Sequence, residues 1–355
     1  MAHVKGGDPT RRRIVFGAAS AAAGLMLPHH ARSQETSVSP DLVAAANREG
    51  TVVFYTAVDL AVSLKLAHTF MQRYPKIHIQ VERTGAERVT QRLMQEYDSG
   101  IKAVDVLDSS DTPAMLDWKE RGWLAKFLPD NVVRLWPKDE QDSDQRFATF
   151  RAHVAVMGYN TTQVRPENAP RSFADLLDSK WRGRIVKAHP SFAGSVLVST
   201  FAIVNILGWA YFEQLAKQRV MQVQAAVDAV KKLALGERSI MADGSEYAAL
   251  FTKEAGNPIE VVYPAEGSPL VPAMVSVMAG APHPNAARLF ASYLFSLEAQ
   301  QLISDDFALR SFHPGVTSKP GRKAFSEIKV IRTDPQELRA AAEEIKSRYG
   351  KIFGV

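Results

Sequence analysis

The sequence predicts an α/β protein of two lobes, each a mixed, mostly parallel sheet flanked by helices. Three observations support this fold class. Short β-branched runs alternate with helical patterns over residues 51–121, an order typical of parallel βαβ units. An apolar run over residues 151–160 predicts a crossover strand that leads from one lobe into the other. A second α/β pattern begins after Asn160.

Three strands are predicted for the sheet of the first lobe, over residues 51–55, 77–81 and 104–107. A helical pattern follows each of them, so their carboxyl ends are expected to share one edge of the sheet. Ligands of such sheets bind beyond that edge. The residues at the strand ends are therefore candidates for a binding site: Tyr55, Thr56, Asp59, Ser109 and Ser110.

The second lobe is predicted from a further series of short patterns. Its strands are expected over residues 184–187, 239–242 and 259–263, and its helices over 172–177, 220–235 and 244–256. The helix over 244–256 begins near Glu246 and Tyr247. Residues 264–272 contain several prolines and a glycine, and they predict a turn that returns the chain to the first lobe.

An almost wholly apolar helix is predicted over residues 196–207, preceded by Ser191, Gly194 and Ser195. A helix that is apolar all round is buried in a core or in a membrane. Polar residues within it and Gly208 at its end favour the core. The N-terminus of such a helix offers free N–H groups to an anion. The same residues are equally consistent with simple helix capping.

The basic character of the chain is concentrated at its start. Residues 1–33 carry four of the five net positive charges, so the rest is nearly neutral and nucleic-acid binding is not expected. These residues have a charged start, an apolar middle and small residues before Ser33, the pattern of a cleaved signal peptide. Arg11-Arg12 resembles a twin-arginine export signal. A short membrane anchor is the alternative, and export to the periplasm is expected.

Five segments carry a resemblance to a known family: VVFYTAVD at 52–59, AVDVLDSSDT at 103–112, FADLLDSKWRGRI at 173–185, ERSIMADGSEYAALFTKEAG at 237–256 and APHPNAARLFASYLFSLEAQQLI at 281–303. Together they resemble the ferric-ion-binding branch of the extracellular solute-binding proteins of ABC importers. The resemblance implies a type 2 periplasmic-binding-protein fold, a monomer that captures a solute between its lobes and delivers it to an inner-membrane permease.

The resemblance also implies ligand residues. In ferric-binding members a histidine follows the first strand, a glutamate follows the third, and adjacent tyrosines come from the second lobe. Asp59, Ser110, Glu246 and Tyr247 stand at those positions here. Asp59, Glu246 and Tyr247 would be the metal ligands if the cargo were ferric ion, because their oxygens are hard donors. Relatives with such changes resemble binders of phosphorylated or other small organic anions.

The anion site of the family is matched by Ser191, Gly194 and Ser195. Every candidate also has a plain structural interpretation. Asp59 can cap the helix that follows it, as Ser109 and Ser110 can cap the next. Glu246 can be a first-turn carboxylate stabilised by the helix dipole, and Tyr247 can be a core residue.

The main alternative function is an enzyme on the same fold that acts on a small anionic substrate. The chain has no cysteine, and it lacks a Gly-x-Ser-x-Gly, a His-Glu-x-x-His and a phosphate-loop motif. The sequence therefore predicts a binding protein without catalytic residues or a required cofactor, with ferric ion as an alternative cargo. The first lobe is expected over residues 41–152 and 268–315, and the second over 153–267 and 316–355.

Overall fold

The computed structural model describes residues 38–355. The predicted signal peptide, its twin-arginine pattern and its cleavage near Ser33 lie outside the described residues. The described part opens with helix α1 (Pro40–Glu49). Ser39 caps this helix by accepting a hydrogen bond from the Leu42 amide. Gly50 ends it with φ +70°, a left-handed conformation that glycine adopts without strain.

The sheet of the first lobe has the strand order β2-β1-β3-β9. β1 (Thr51–Thr56) lies parallel to both β2 (His78–Arg83) and β3 (Val106–Ser109), and β9 (Ser268–Val277) lies antiparallel to β3. The predicted βαβ order is confirmed. The helices of this lobe are α2 (Leu60–Arg73), α3 (Ala86–Asp98), α4 (Thr112–Glu120), α5 (Asp130–Leu135), α9 (Pro284–Leu294) and α10 (Leu297–Phe307).

Two long antiparallel strands connect the lobes. β4 (Ala148–Asn160) pairs with β9 over its first half and with strands of the second lobe over its second half. The predicted crossover strand is thereby confirmed. The turn predicted over residues 264–272 is confirmed for residues 264–267, where the Gly267 amide donates to the Pro264 carbonyl at 2.9 Å, and is wrong from Ser268 onward, where β9 begins. Its prolines suggested a turn, yet Pro269 and Pro272 lie in the extended strand, whose backbone proline can adopt.

The second lobe continues the sheet on the other side of β4. Its strands are β5 (Ile185–Ala188), β6 (Met221–Val223), β7 (Ile240–Ser245) and β8 (Ile259–Val262). β5 lies parallel to β6 and β7, while β7 and β8 lie antiparallel to β4. The helix predicted over 220–235 is partly wrong: β6 occupies its start, and α7 (Ala226–Ala234) forms only its second part. Helix α8 (Glu246–Glu254) follows β7 directly.

Helix α6 (Gly194–Ala216) is the longest apolar helix of the described part. Judged by length and composition alone, it could cross a membrane. Over half of its apolar window is buried inside the protein, as in the core helix of a soluble lobe. Gly208 has φ +72°, so the helix is interrupted where the sequence predicted its end, and then resumes.

The C-terminal helix α11 (Pro335–Phe353) packs along α6. Its buried Leu338, Ala342 and Ile345 contact Leu197 and Phe201 of α6. Asp334 caps α11 by accepting hydrogen bonds from two backbone amides. On its other side α11 contacts α4 of the first lobe. The remaining elements are the short β10 (Val330–Ile331) and 3-10 turns at Lys138–Glu140, Pro166–Asn168, Ala174–Leu177, Ser179–Trp181 and Phe325–Glu327.

Candidate functional site

The first turn of α6 contacts the loop after β3 across the gap between the lobes. A Cβ atom built on Gly194 would lie 3.1 Å from the Ser110 carbonyl oxygen and 3.3 Å from the Cα of Asp111. The absence of a side chain at this position permits the close approach. The two loops that the sequence predicted to flank a ligand therefore face each other, and the lobes are closed at this point.

The start of α6 is not capped by a side chain. Its N-cap residue is Ala193, whose carbonyl accepts from the amides of Val196 and Leu197 at 3.0 and 3.1 Å. The amides of Gly194 and Ser195 come before these bonds and lack intrahelical partners by geometry. Ser195 is half-buried in this first turn. The capping interpretation of these residues is thus less favoured than an anion-binding helix start.

Tyr247 lies at the start of α8 and reaches into the first lobe. Its half-buried ring packs against the first-lobe core and stands edge-on to the His153 ring, with centroids 5.3 Å apart. Its hydroxyl is hydrogen-bonded to the Asp59 carboxylate, which also lies 3.7 Å from Arg83. Burial, and then the charge of Asp59, raises the pKa of Tyr247 well above its usual value. The phenol is therefore protonated at neutral pH.

Glu246, a predicted ligand residue, is fully engaged inside the protein. Arg310 donates to both of its oxygens, from Nε at 3.0 Å and from Nη2 at 2.6 Å. The Tyr263 hydroxyl donates to the same carboxylate at 2.5 Å. The side chain is 0% exposed. Glu246 stays a predicted ligand residue, but its carboxylate is already bonded to Arg310, which is 64 residues away in the sequence and which the local pattern could not pair with it.

Tyr55 and Thr56 were placed at the gap from their position at a strand end. The Tyr55 ring lies instead in the first-lobe core beneath α3 and α4, and its hydroxyl donates to Glu96 at 2.9 Å. The Thr56 hydroxyl donates to Asp108 Oδ2 at 2.6 Å and has no exposed surface. Tyr55 is corrected to a core residue, and Thr56 to a residue that positions Asp108.

The remaining serines differ in their surroundings. Ser109 is buried, and its hydroxyl accepts the Asp111 amide, so it shapes the loop from within. Ser110 is buried at the contact with Gly194. Ser191 lines a surface depression of about 440 Å³ beside α11, together with His189 and Lys346.

Three side chains at the junction of the lobes were missed. Arg151 of β4 donates from Nη2 to Asp108 Oδ2 at 3.1 Å, and both side chains are almost completely buried. His153, two residues further along β4, has Nε2 3.5 Å from the Ser245 hydroxyl. One sequence signal could have identified Arg151 and His153. They are two polar residues at alternate positions of an otherwise apolar run, so both point to one face of the strand.

This arrangement defines a class of protein. Two α/β lobes, linked by a pair of crossover strands and closed over buried polar side chains, form a clamp of the kind that captures small solutes. The family model for bacterial extracellular solute-binding proteins matches residues 102–324, well over half of the chain. The chain belongs to this family, and the function predicted from the sequence, solute binding, is confirmed at that level.

Two curated relatives align with much of the chain. A probable ABC transporter periplasmic-binding protein, y4fP of Sinorhizobium fredii, is 20% identical over 285 residues, which cover 77% of this chain and 78% of that protein. An uncharacterized protein of Haemophilus influenzae is 22% identical over 223 residues, covering 60% of this chain. The chain spans 64% of the length of that relative.

Solved structures share the fold. Iron-bound HitA from Pseudomonas aeruginosa has a TM-score of 0.74 at 21% identity, covering 84% of this chain and 99% of HitA. AfuA from Actinobacillus pleuropneumoniae, with fructose-6-phosphate bound, has a TM-score of 0.78 at 20% identity, covering 86% and 99%. The predicted type 2 fold and the resemblance to the ferric-ion-binding branch are confirmed. Both the iron-bound and the sugar-phosphate-bound protein have this fold, so the fold alone does not select the cargo.

Proposed function

We propose that this solute-binding protein serves an ABC importer and captures a small organic anion between its lobes. Ligand that contacts both lobes favours the closed conformation by its differential contacts, and the closed form is then presented to an inner-membrane permease. The solute would leave the protein chemically unchanged. The contact between Gly194 of α6 and the loop at Ser110 carries the proposal, because it brings free helix amides against the opposite lobe.

The donor set supports an organic anion over ferric ion. Both Glu246 oxygens are already bonded to Arg310, and the Tyr247 phenol is held in its protonated form by burial. Within residues 38–355, no three His, Cys, Asp or Glu side chains are grouped so that they could hold a metal. Asp59 and Tyr247 alone would leave a trivalent ion with few hard ligands.

Protein purified from its own periplasm provides the direct test. Native mass spectrometry is expected to show a bound organic passenger of unchanged mass, and small-angle scattering is expected to show a smaller radius of gyration than after its removal. A visible charge-transfer band that disappears in Tyr247→Phe would instead identify ferric ion as the cargo. A solute that leaves the scattering profile unchanged, or is released as a different molecule, would contradict the proposal.

Closure can be tested at Gly194 itself. In Gly194→Val, the new side chain meets the Ser110 carbonyl and the Asp111 backbone, so the closed state is destabilised relative to the open one. We expect a loss of affinity for the passenger of about tenfold or more, since about 1.4 kcal/mol in the closing equilibrium is sufficient. Isothermal titration and scattering of the same samples measure both quantities.

Gly85→Val is the matched control for this experiment. Gly85 is the N-cap of α3 and so also lies at a helix start, has φ −67°, and a Cβ there meets nothing within 4 Å. Its affinity is expected to stay within about twofold of the wild type, as for surface substitutions in general. Equal losses in both variants would show that the approach of Gly194 to Ser110 has no role in binding.

We further propose export to the periplasm with cleavage of the signal peptide near Ser33, and action as a monomer. The lobe limits that we propose are residues 41–152 with 268–315, and 153–267 with 316–355. The mixed pairing of β4, with β9 before residue 155 and with β7 and β8 after it, supports a boundary near residue 153. N-terminal sequencing of periplasmic protein tests the cleavage position.

A further inference from the structure

Three buried side chains lie near the crossover strand β4, and each has a polar atom without a hydrogen-bond partner in the described part of the chain. They are Asp108, Arg151 and His153, which are 0, 4 and 5% exposed. The unpartnered atoms are Asp108 Oδ1, Arg151 Nε and His153 Nδ1. Buried polar groups are nearly always hydrogen-bonded in folded proteins, so three exceptions in one place indicate a missing partner.

The three side chains are held in fixed positions by their neighbours. Thr56 and Arg151 both donate to Asp108 Oδ2, at 2.6 and 3.1 Å, which leaves Oδ1 free. Arg151 and His153 are two residues apart on β4 and therefore point to the same face, about 6.6 Å apart along the strand. His153 is fixed further by the Tyr247 ring.

The charges of this cluster narrow the choice of ligand. Arg151 offers a donor at Nε, whereas the neighbouring Asp108 Oδ1 is an acceptor that repels a bare anion. A ligand that satisfies both must carry an acceptor oxygen and, on a nearby atom, a hydrogen-bond donor. Hydroxy acids and amino acids share this chemistry, while unsubstituted carboxylates and sulfate, which have no hydrogen-bond donor at neutral pH, do not.

We propose that Arg151 and Asp108 together bind a solute with a hydroxyl or amino group beside its anionic oxygen, and that His153 contacts a second polar group of it. This proposal rests on the proposed function, since it specifies the solute of the same gap. Asp108 selects for the donor group, and Arg151 holds the anionic oxygen. Thr56 acts as a positioning residue through Asp108 Oδ2.

Calorimetric titration of the full chain with matched acids tests the proposal. The three-carbon set is lactate, alanine and propionate, the six-carbon set is gluconate and hexanoate, and sulfate is the anion without a hydrogen-bond donor. At least one substituted acid is expected to bind about 10- to 100-fold more tightly than its unsubstituted match, because the latter leaves Asp108 Oδ1 unpaired. Lactate against alanine distinguishes a hydroxyl from an amino group.

Two variants separate the roles of the cluster. Asp108→Asn is expected to reduce the preference for the substituted acid to below about threefold. Arg151→Lys keeps the charge but loses the Nε donor, so we expect all acids to weaken by about tenfold with their ratio retained. Asp117→Asn, which alters an exposed ion pair with Arg121 on α4, is the control and should retain the wild-type preference.

Equal affinity for substituted and unsubstituted acids, or no binding by any of them, would overturn the proposal. If sulfate alone binds tightly and compacts the protein in solution scattering, capture of an anion stands while the requirement for a neighbouring donor is wrong. If Asp108→Asn fails to fold, Arg151→Lys still tests the proposal. This variant is expected to keep the wild-type ratio of affinities between substituted and unsubstituted acids, and loss of that ratio would contradict the assigned roles.

Discussion

Arg310→Met is expected to lower the free energy of unfolding by about 3–5 kcal/mol, the usual cost of removing one partner of a buried ion pair. The substitution leaves the Glu246 carboxylate, which is 0% exposed, with only the Tyr263 hydroxyl as a neighbour. The backbone of Arg310 still pairs with Ala152 of β4 through two hydrogen bonds, so the local chain path is retained. Urea unfolding followed by fluorescence measures the loss.

Two further variants test whether the lost stability comes from the unpaired charge of Glu246. The double variant Glu246→Gln/Arg310→Met removes both charges, and it is expected to recover much of the lost stability because no uncompensated charge remains. Arg121→Met alters an exposed pair with Asp117 and should cost less than about 1 kcal/mol. Comparable losses for Arg310→Met and Arg121→Met would show that burial of the Glu246 pair contributes little.

The second large effect is expected from His153 as the pH is lowered. Burial, with a smaller contribution from Arg151, lowers the pKa of His153 to about 3. Between pH 6.5 and 3 the unfolded chain therefore binds a proton at this residue that the folded protein does not. The free energy of unfolding falls through this window by up to about 1.4 kcal/mol per pH unit, and His153 has no such effect above it.

Comparison with His153→Gln isolates this contribution. The variant is expected to lose stability less steeply than the wild type between pH 6.5 and 4, where urea unfolding can be measured on both. His68→Gln, at an exposed position of α2, should follow the wild-type profile. Parallel profiles for wild type and His153→Gln would mean that His153 is protonated in the folded protein.

The sequence predicted the parts of the fold that local patterns determine. Residues 51–55 form a short β-branched run that ends before a helical pattern, and β1 lies there. The start of β9 was included in a predicted turn because Pro269 and Pro272 are typical of turns in the local sequence, whereas their strand partners come from distant segments. β6 was hidden in a helical pattern because only pairing with β5 stabilises it.

The site was predicted at the level of loops and less well at the level of side chains. Strand order determines which loops meet, so Ser110 and Gly194 could be placed together. Which side chain points into the gap depends on tertiary partners: Glu246 turns to Arg310, which is distant in sequence. The position of Arg151, a charged residue in an otherwise apolar predicted strand, could have identified it as a candidate site residue.

The contact of α11 with α4 has a consequence for how affinities are measured. Arg339 of α11 donates to Glu120 of α4 at 2.8 Å from Nη2, so an exposed ion pair joins the proposed lobes in the closed form. Dissolved electrolyte screens such a pair. The equilibrium between the closed and open forms of the unliganded protein therefore varies with the ionic strength of the buffer. Dissociation constants are comparable only when they are measured at one salt concentration.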